Sequence, residues 1–265
     1  MLDPGVFCCS VSCDEFPERP FNVKKARKHG PIRTSGRWLR RVLLKILILF
    51  VIFTFVEVLS LRFVNPPFTV SVAWDWVQHR MNAKKYRMPL YLWQDLNRIS
   101  PYLRRAVLAG EDQRFLQHHG FDFIEARQAL KDMLFADRVR GASTISMQVA
   151  RTVYLIPQRT VSRKLAEAYY AMLIELLWQK QRILEIYLNT VDWGTGVMGA
   201  EAASVKYFRT HADRLTPSQA VLLAAILPSP HKWSPVRQNA DVVRRYRKIM
   251  RQIHAMPLIS WSHGG

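Results

Sequence analysis

Cysteine is nearly absent: the 265-residue chain has three, Cys8, Cys9 and Cys13, all within its first thirteen residues. Everything downstream must be stable without a disulfide, which excludes a cystine-stapled secreted module. No His or Cys follows these three at metal-ligand spacing, so they read as tail residues rather than as a zinc or acylation site. Acidic side chains are scarce as well, 20 Asp+Glu against 39 Lys+Arg, a formal charge of +19 that calls for anionic company. Proline (14) and glycine (11) are ordinary and 49% of residues are hydrophobic, so disorder and collagen-like repetition are excluded and a real core can form. H-E-x-x-H, C-x-x-C and G-x-S-x-G are all missing, which leaves zinc-hydrolase and serine-hydrolase readings without support. Gly194-x-Gly196-x-x-Gly199 has the form of a dinucleotide fingerprint, but it follows a helical pattern and not the first strand of a βαβ unit.

What is present begins with a long apolar run. Residues 42–61, VLLKILILFVIFTFVEVLSL, are long enough to cross about 30 Å of hydrocarbon at 1.5 Å per residue, which predicts a transmembrane helix over 42–62. Lys45 and Glu57 intrude toward opposite ends, where a long side chain reaches the headgroups. A buried core helix and a signal sequence are the competing readings, although the run exceeds a usual h-region and lacks an A-x-A site. Nine Lys and Arg between residues 19 and 41 form a basic tail, and such an excess holds its flank on the cytoplasmic side. The bulk of the chain, 66–265, is then expected on the outer side of that membrane. That part still carries 28 Lys+Arg against 15 Asp+Glu, a formal +13. Nucleic acid is not expected as a partner of a basic surface placed there; a phosphate-bearing lipid fits better.

From Asn65-Pro66-Pro67 to Pro235 no linker or repeat divides the chain, so one mainly α domain is expected. Ser100-Pro101 and Thr216-Pro217 are N-cap and first-turn pairs, and the apolar residues Leu165, Tyr169, Met172, Leu176 and Ile183 give 162–189 a helical period. After Pro235 there is room for a terminal helix over about 240–256 and none for a second catalytic domain.

Two stretches could carry chemistry. In 111–122, EDQRFLQHHGFD, a helix would place Glu111, Phe115 and His118 on one face with Gly120 stopping it; a solvated acidic turn is the alternative. In 141–151, GASTISMQVAR, small hydroxyl residues at a helix start can offer donors to a phosphate, or form an ordinary N-cap. Arg163 and Glu167 lie at i and i+4, a surface ion pair by itself. The four cations Arg151, Arg159, Arg163 and Lys164 beside the hydroxyl turn ask for more, and suit a diphosphate.

Taken in order, EDQRFLQHHGFD at 111–122, GASTISMQVART at 141–152, RKLAEA at 163–168, RILEIYLN at 182–189 and LLAAILPSP at 222–230 resemble the peptidoglycan glycosyltransferase family. This is the lysozyme-like module of penicillin-binding proteins, here most similar to its monofunctional biosynthetic members, and the likeness spans 99–235. The resemblance implies that lipid II is polymerised into β-1,4 glycan strands with release of polyprenyl diphosphate. It implies that Glu111 is the general base and that Arg151, Arg159, Arg163 and Lys164 stabilise the diphosphate. Glu167, the second family glutamate, is implied to hold those cations or a divalent ion such as Mg²⁺, with no obligatory cofactor. Ser143, Thr144 and Gln148 match donor-site contacts, and other cell-wall synthases are implied as partners. Met147 stands where a glutamine is usual, Arg151 for lysine, Thr152 for asparagine and Gln219 for glutamate. The rival readings are a membrane-anchored lysozyme-like hydrolase, with two carboxylates and no diphosphate to stabilise, and an inert envelope scaffold.

Overall fold

A computed structural model of the chain describes residues 36–81, 88–135, 143–158 and 160–261. The basic tail before residue 36 and its three cysteines lie outside the described residues. Two compact units divide at Ile48/Leu49, inside the first helix. That helix, α1 (Gly36–Leu61), has a stretch Trp38–Leu61 of mean hydropathy 2.8, long and apolar enough to cross a membrane. Up to Ile48 its described side chains are almost all exposed.

From Leu49 onward the fold is helical, and two central helices explain its core. Helix α7 (Lys180–Thr190) is buried from Arg182 through Thr190, and α9 (Pro217–Ile226) is apolar all round, as a helix enclosed by its neighbours must be. Around them pack α3 (Pro101–Glu111), α5 (Ile145–Tyr154), α6 (Val161–Leu177), α8 (Ala200–Phe208) and α10 (Ala240–Gln252), while α2 (Val70–Met81) and α4 (Phe123–Phe135) are largely exposed. Polar groups buried on α7 are matched by loops: Asn189 exchanges two hydrogen bonds of 2.8 Å with the Gln94 backbone, and Glu185 accepts from Leu96 N–H at 3.1 Å. Three short strands, β1 (Leu90–Tyr91), β2 (Asp192–Gly194) and β3 (Val197–Met198), lie in the order β1-β3-β2, parallel then antiparallel.

The caps form where the sequence puts them. Ser100 Oγ accepts from Tyr102 N–H, and Thr216 and Gln219 build a reciprocal capping box on α9. Glutamine therefore does at position 219 what a glutamate would do there. The terminal helix also forms, as α10 followed by a single 3₁₀ turn.

Three expectations change. The period over 162–189 does not run through: Trp178 is extended, its indole N–H donates to Val58 O at 2.8 Å, and the chain restarts as α7. Leu165, Met172 and Leu176 are exposed on α6 instead of facing the core. Helix α3 ends at Glu111, so 112–119 is a run of turns, as in the alternative to a continuing helix, but Asp112 and His118 within it are buried and not solvated.

The second half of α1 packs on the domain. Thr54 Oγ1 lies 2.6 Å from Tyr169 OH, Tyr170 OH donates to Glu57 at 3.1 Å, and the Arg182 guanidinium donates to the carbonyls of Leu61 and Val64. Glu57, read as reaching for headgroups, is thus held by a tyrosine.

The G-x-G-x-x-G pattern is the β2–β3 hairpin and the start of α8, with positive φ at Gly194, Gly196 and Gly199. At Gly199 (φ +85) a Cβ would stand 2.5 Å from Asn189 O, whereas at Gly196 (φ +71) it would meet open space. Gly199→Ala is expected to lower Tm by about 10 °C or more, or to leave the protein insoluble. Gly196→Ala, strained in φ alone, should lose far less in the same thermal melt.

Candidate active site

Glu111 is the last residue of α3, and its side chain is 13% exposed at the edge of a cavity of about 480 Å³. One carboxylate oxygen accepts from Gln148 Nε2 at 3.0 Å, the other from Arg245 Nη2 at 3.0 Å. The orientation of the Gln148 amide is settled by Tyr187, a fully buried phenol on α7 that donates to Gln148 Oε1 at 3.3 Å. Burial, with the Glu111 charge nearby, holds that phenol well above its ordinary pKa, so it stays a donor. Burial also raises the Glu111 carboxyl, and Arg245 is the strongest of the groups that oppose the rise, followed by Gln148 and Arg151. The result is an ionisable base, shielded from water and aimed by two donors. Phe115, expected on its face, is buried elsewhere, under the Lys180 ammonium (4.4 Å to the ring centroid) and beside His118.

Further lining comes from the hydroxyl turn and α5. Thr144 is the N-cap, accepting from Met147 N–H while its own hydroxyl donates to Gly120 O at 2.6 Å. Ser143, Thr144, Gln148 and Arg151 line the same cavity as Glu111, together with Arg245 and Lys248 of α10. The Arg151 guanidinium makes no hydrogen bond or ion pair among the described residues. Met147, one of the departures from the usual pattern, is packed into the core and so takes nothing from the cavity wall.

Lys164 lies beside the cavity, its side chain half-exposed, with Nζ 3.2 Å from Ser143 Oγ and 2.9 Å from Glu167 Oε2. Glu167 is 1% exposed and also pairs with Arg163, which donates in turn to Gln158 O. Burial, then Arg151 and Arg163, lower the Lys164 ammonium below its ordinary pKa. Arg159 lies outside the described residues. The structure therefore gathers Glu111, Ser143, Thr144, Gln148 and Arg151 on one cavity and joins Lys164, Glu167 and Arg163 to it through Ser143. Sequence reasoning missed Tyr187 and Arg245. Nothing in the sequence separates Arg245 from Arg244, Arg247 and Arg251 on the same basic helix.

A family model described as Transglycosylase matches residues 81–254, well over half of the chain. The chain belongs to this family. Among curated transglycosylases, three named biosynthetic peptidoglycan transglycosylase illustrate the likeness. The protein of Chromohalobacter salexigens is 49% identical over 164 residues, 62% of this chain and 70% of its own length. That of Caulobacter vibrioides is 39% identical over 217 residues (82% and 92%), and that of Pseudomonas aeruginosa 42% identical over 232 residues (86% and 95%). For a transglycosylase the cavity is suitably built, lined by a desolvated carboxylate and by a guanidinium in no direct ion pair among the described residues.

Proposed function

We propose that this transglycosylase is a membrane-anchored peptidoglycan glycosyltransferase that joins lipid II units into β-1,4 glycan strands. The observation that carries the reading is that Glu111 and Arg151 face one cavity, with Gln148 hydrogen-bonded to the carboxylate between them. Glu111 takes the proton from the acceptor sugar's 4-hydroxyl as that oxygen attacks C1 of the donor muramic acid. The bond from C1 to the diphosphate oxygen breaks, its electrons leaving with polyprenyl diphosphate. Negative charge grows on that leaving group, and Arg151 and Lys164 supply the cations for it, with Glu167 holding Lys164 and Arg163 in place. Arg159 is assigned to the same cationic group by the family resemblance alone. Ser143 and Thr144 offer donors to the same end of the substrate.

Glu167 does not fit a divalent ion: its two oxygens already face Lys164 and Arg163. The one His/acid grouping of metal-binding type among the described residues is Asp112, His118 and Asp122, of which the two aspartates border the cavity. Its oxygens are taken by N–H donors, His118 and Ile145 at Asp112 and the Ile124 and Glu125 amides at Asp122, with Arg114 3.4 Å from the last oxygen. Activity is therefore expected to persist in a chelator.

The apolar stretch Trp38–Leu61 is read as a single membrane crossing of the bacterial inner membrane, with the basic tail cytoplasmic and the cavity outside. Purified full-length protein given labelled lipid II in detergent tests the whole reading. Polymer together with free polyprenyl diphosphate supports it; cleavage of preformed polymer would mark a hydrolase, and no reaction a scaffold.

A pH profile follows from the two perturbed groups. The base works ionised, so kcat/KM falls as pH drops through the raised Glu111 value, above the usual carboxylate range near ~4.3. On the alkaline side it falls as Lys164 loses its proton at a lowered value. Arg245→Gln removes the strongest group holding Glu111 down, and should move the acid limb to higher pH. A limb that stays in place in the variant would contradict this.

A further inference from the structure

Asp112 borders the same cavity as Glu111 but has no part in the transfer just described; it and His118 are both buried, and it ties His118 to the active-site helix. The Asp112 side chain is 3% exposed, with Oδ1 2.9 Å and Oδ2 3.1 Å from His118 Nε2. Oδ2 also accepts from Ile145 N–H, the first residue of α5, at 3.0 Å. A carboxylate only accepts, so the proton of the imidazole stands on Nε2; Nδ1 is buried with no hydrogen-bond partner among the described residues. The imidazole therefore serves one purpose in this arrangement, to fix the rotation of Asp112.

Consecutive residues at the end of α3 thus grip one turn of α5. Asp112 holds its Ile145 amide, and Glu111 holds Gln148, three residues on. The 111–112 peptide, the α5 turn and these two hydrogen bonds close a ring. Two outer ties brace it, Thr144 to Gly120 O and Lys180 Nζ to His118 O at 2.8 Å.

We infer that Asp112, oriented by His118, is a positioning residue for sugar transfer: it locks Glu111 in register with the helix that carries Gln148 and Arg151. Both Asp112 oxygens are engaged by His118 and Ile145 N–H, and His118 does not line the cavity, so the role assigned to the pair is to position and not to react. The inference rests on Glu111 being the base, and gives a physical reason for an acid directly after it.

The test compares His118→Leu, close in bulk but with no donor, with His118→Gln, which restores an N–H of similar reach. A displacement of about 1 Å at the base is worth about 100-fold, so His118→Leu should lose about that much kcat with KM for lipid II within threefold. His118→Gln should recover most of the loss. If His118→Leu does not fold, as judged by its thermal melt, Asp112→Asn takes its place: whichever way the amide turns, its N–H₂ replaces one of the two oxygens that now face the His118 and Ile145 donors, and kcat should fall in the same way. Wild-type kcat in folded His118→Leu, equal losses in the Leu and Gln variants, or an unchanged kcat in Asp112→Asn, would overturn the proposal. If the wild-type protein itself makes no polymer, the reading of Glu111 fails first, and the two failures are told apart.

Discussion

Glu111→Gln should abolish polymer formation while the protein stays folded. A positioned general base is worth about 10²–10⁴-fold, so product from labelled lipid II should drop by at least about 100-fold, together with release of polyprenyl diphosphate. The substitution keeps the size of the side chain and removes a charge that burial disfavours, as the raised pKa of Glu111 attests. One loss offsets that gain: the new amide presents N–H to either Gln148 or Arg245, both donors to the native carboxylate. Tm is expected to stay within about 3 °C of wild type. Wild-type rates from this variant would remove Glu111 from the reaction.

Arg151→Ala should come next in size. With no hydrogen bond or ion pair among the described residues, this guanidinium is held by no direct partner at the cavity wall, the Glu111 carboxylate acting on it through the field alone, and an incoming diphosphate offers it a direct counter-charge. Loss of one preorganised group at a developing anion is worth about 10²–10³-fold, and that is the fall expected in kcat/KM. The thermal midpoint should change little, since no partner is left behind. Arg151→Lys restores the charge without the planar fork and should recover activity to within about tenfold, lysine being the residue usual at this position in the family. An Arg151→Ala enzyme within threefold of wild type would mean that the leaving group is stabilised elsewhere.

How much of this could be read from the chain depends on how local the cause is. Ser100-Pro101 and Thr216-Pro217 form caps because the bonds they make span two or three residues. Thr144 starts α5 for the same reason, and Arg163 meets Glu167 because a helix brings i and i+4 together. The misses all have distant causes. Trp178 breaks a helical period because its indole finds a carbonyl 120 positions earlier in the chain. Helix α3 stops at Glu111 where Asp112 turns to an amide 33 positions later. Arg245 reaches Glu111 from 134 positions away, and Tyr187 sets the Gln148 amide from a helix whose pattern suggested only packing. Five motifs in family order located the cavity, but not the groups that aim its carboxylate.

The hydrogen bonds that Leu61, Val64 and Val58 accept give α1 a duty besides anchorage. A soluble fragment that begins after residue 65 would take the receiving carbonyls from the Trp178 indole, just ahead of the central buried helix, and from the Arg182 guanidinium in its first turn, leaving Arg182 hydrogen-bonded to Glu185 alone. Shortening the protein to escape detergent would thus loosen the scaffold under Tyr187, and a sluggish fragment would report a damaged foundation more than a missing tether.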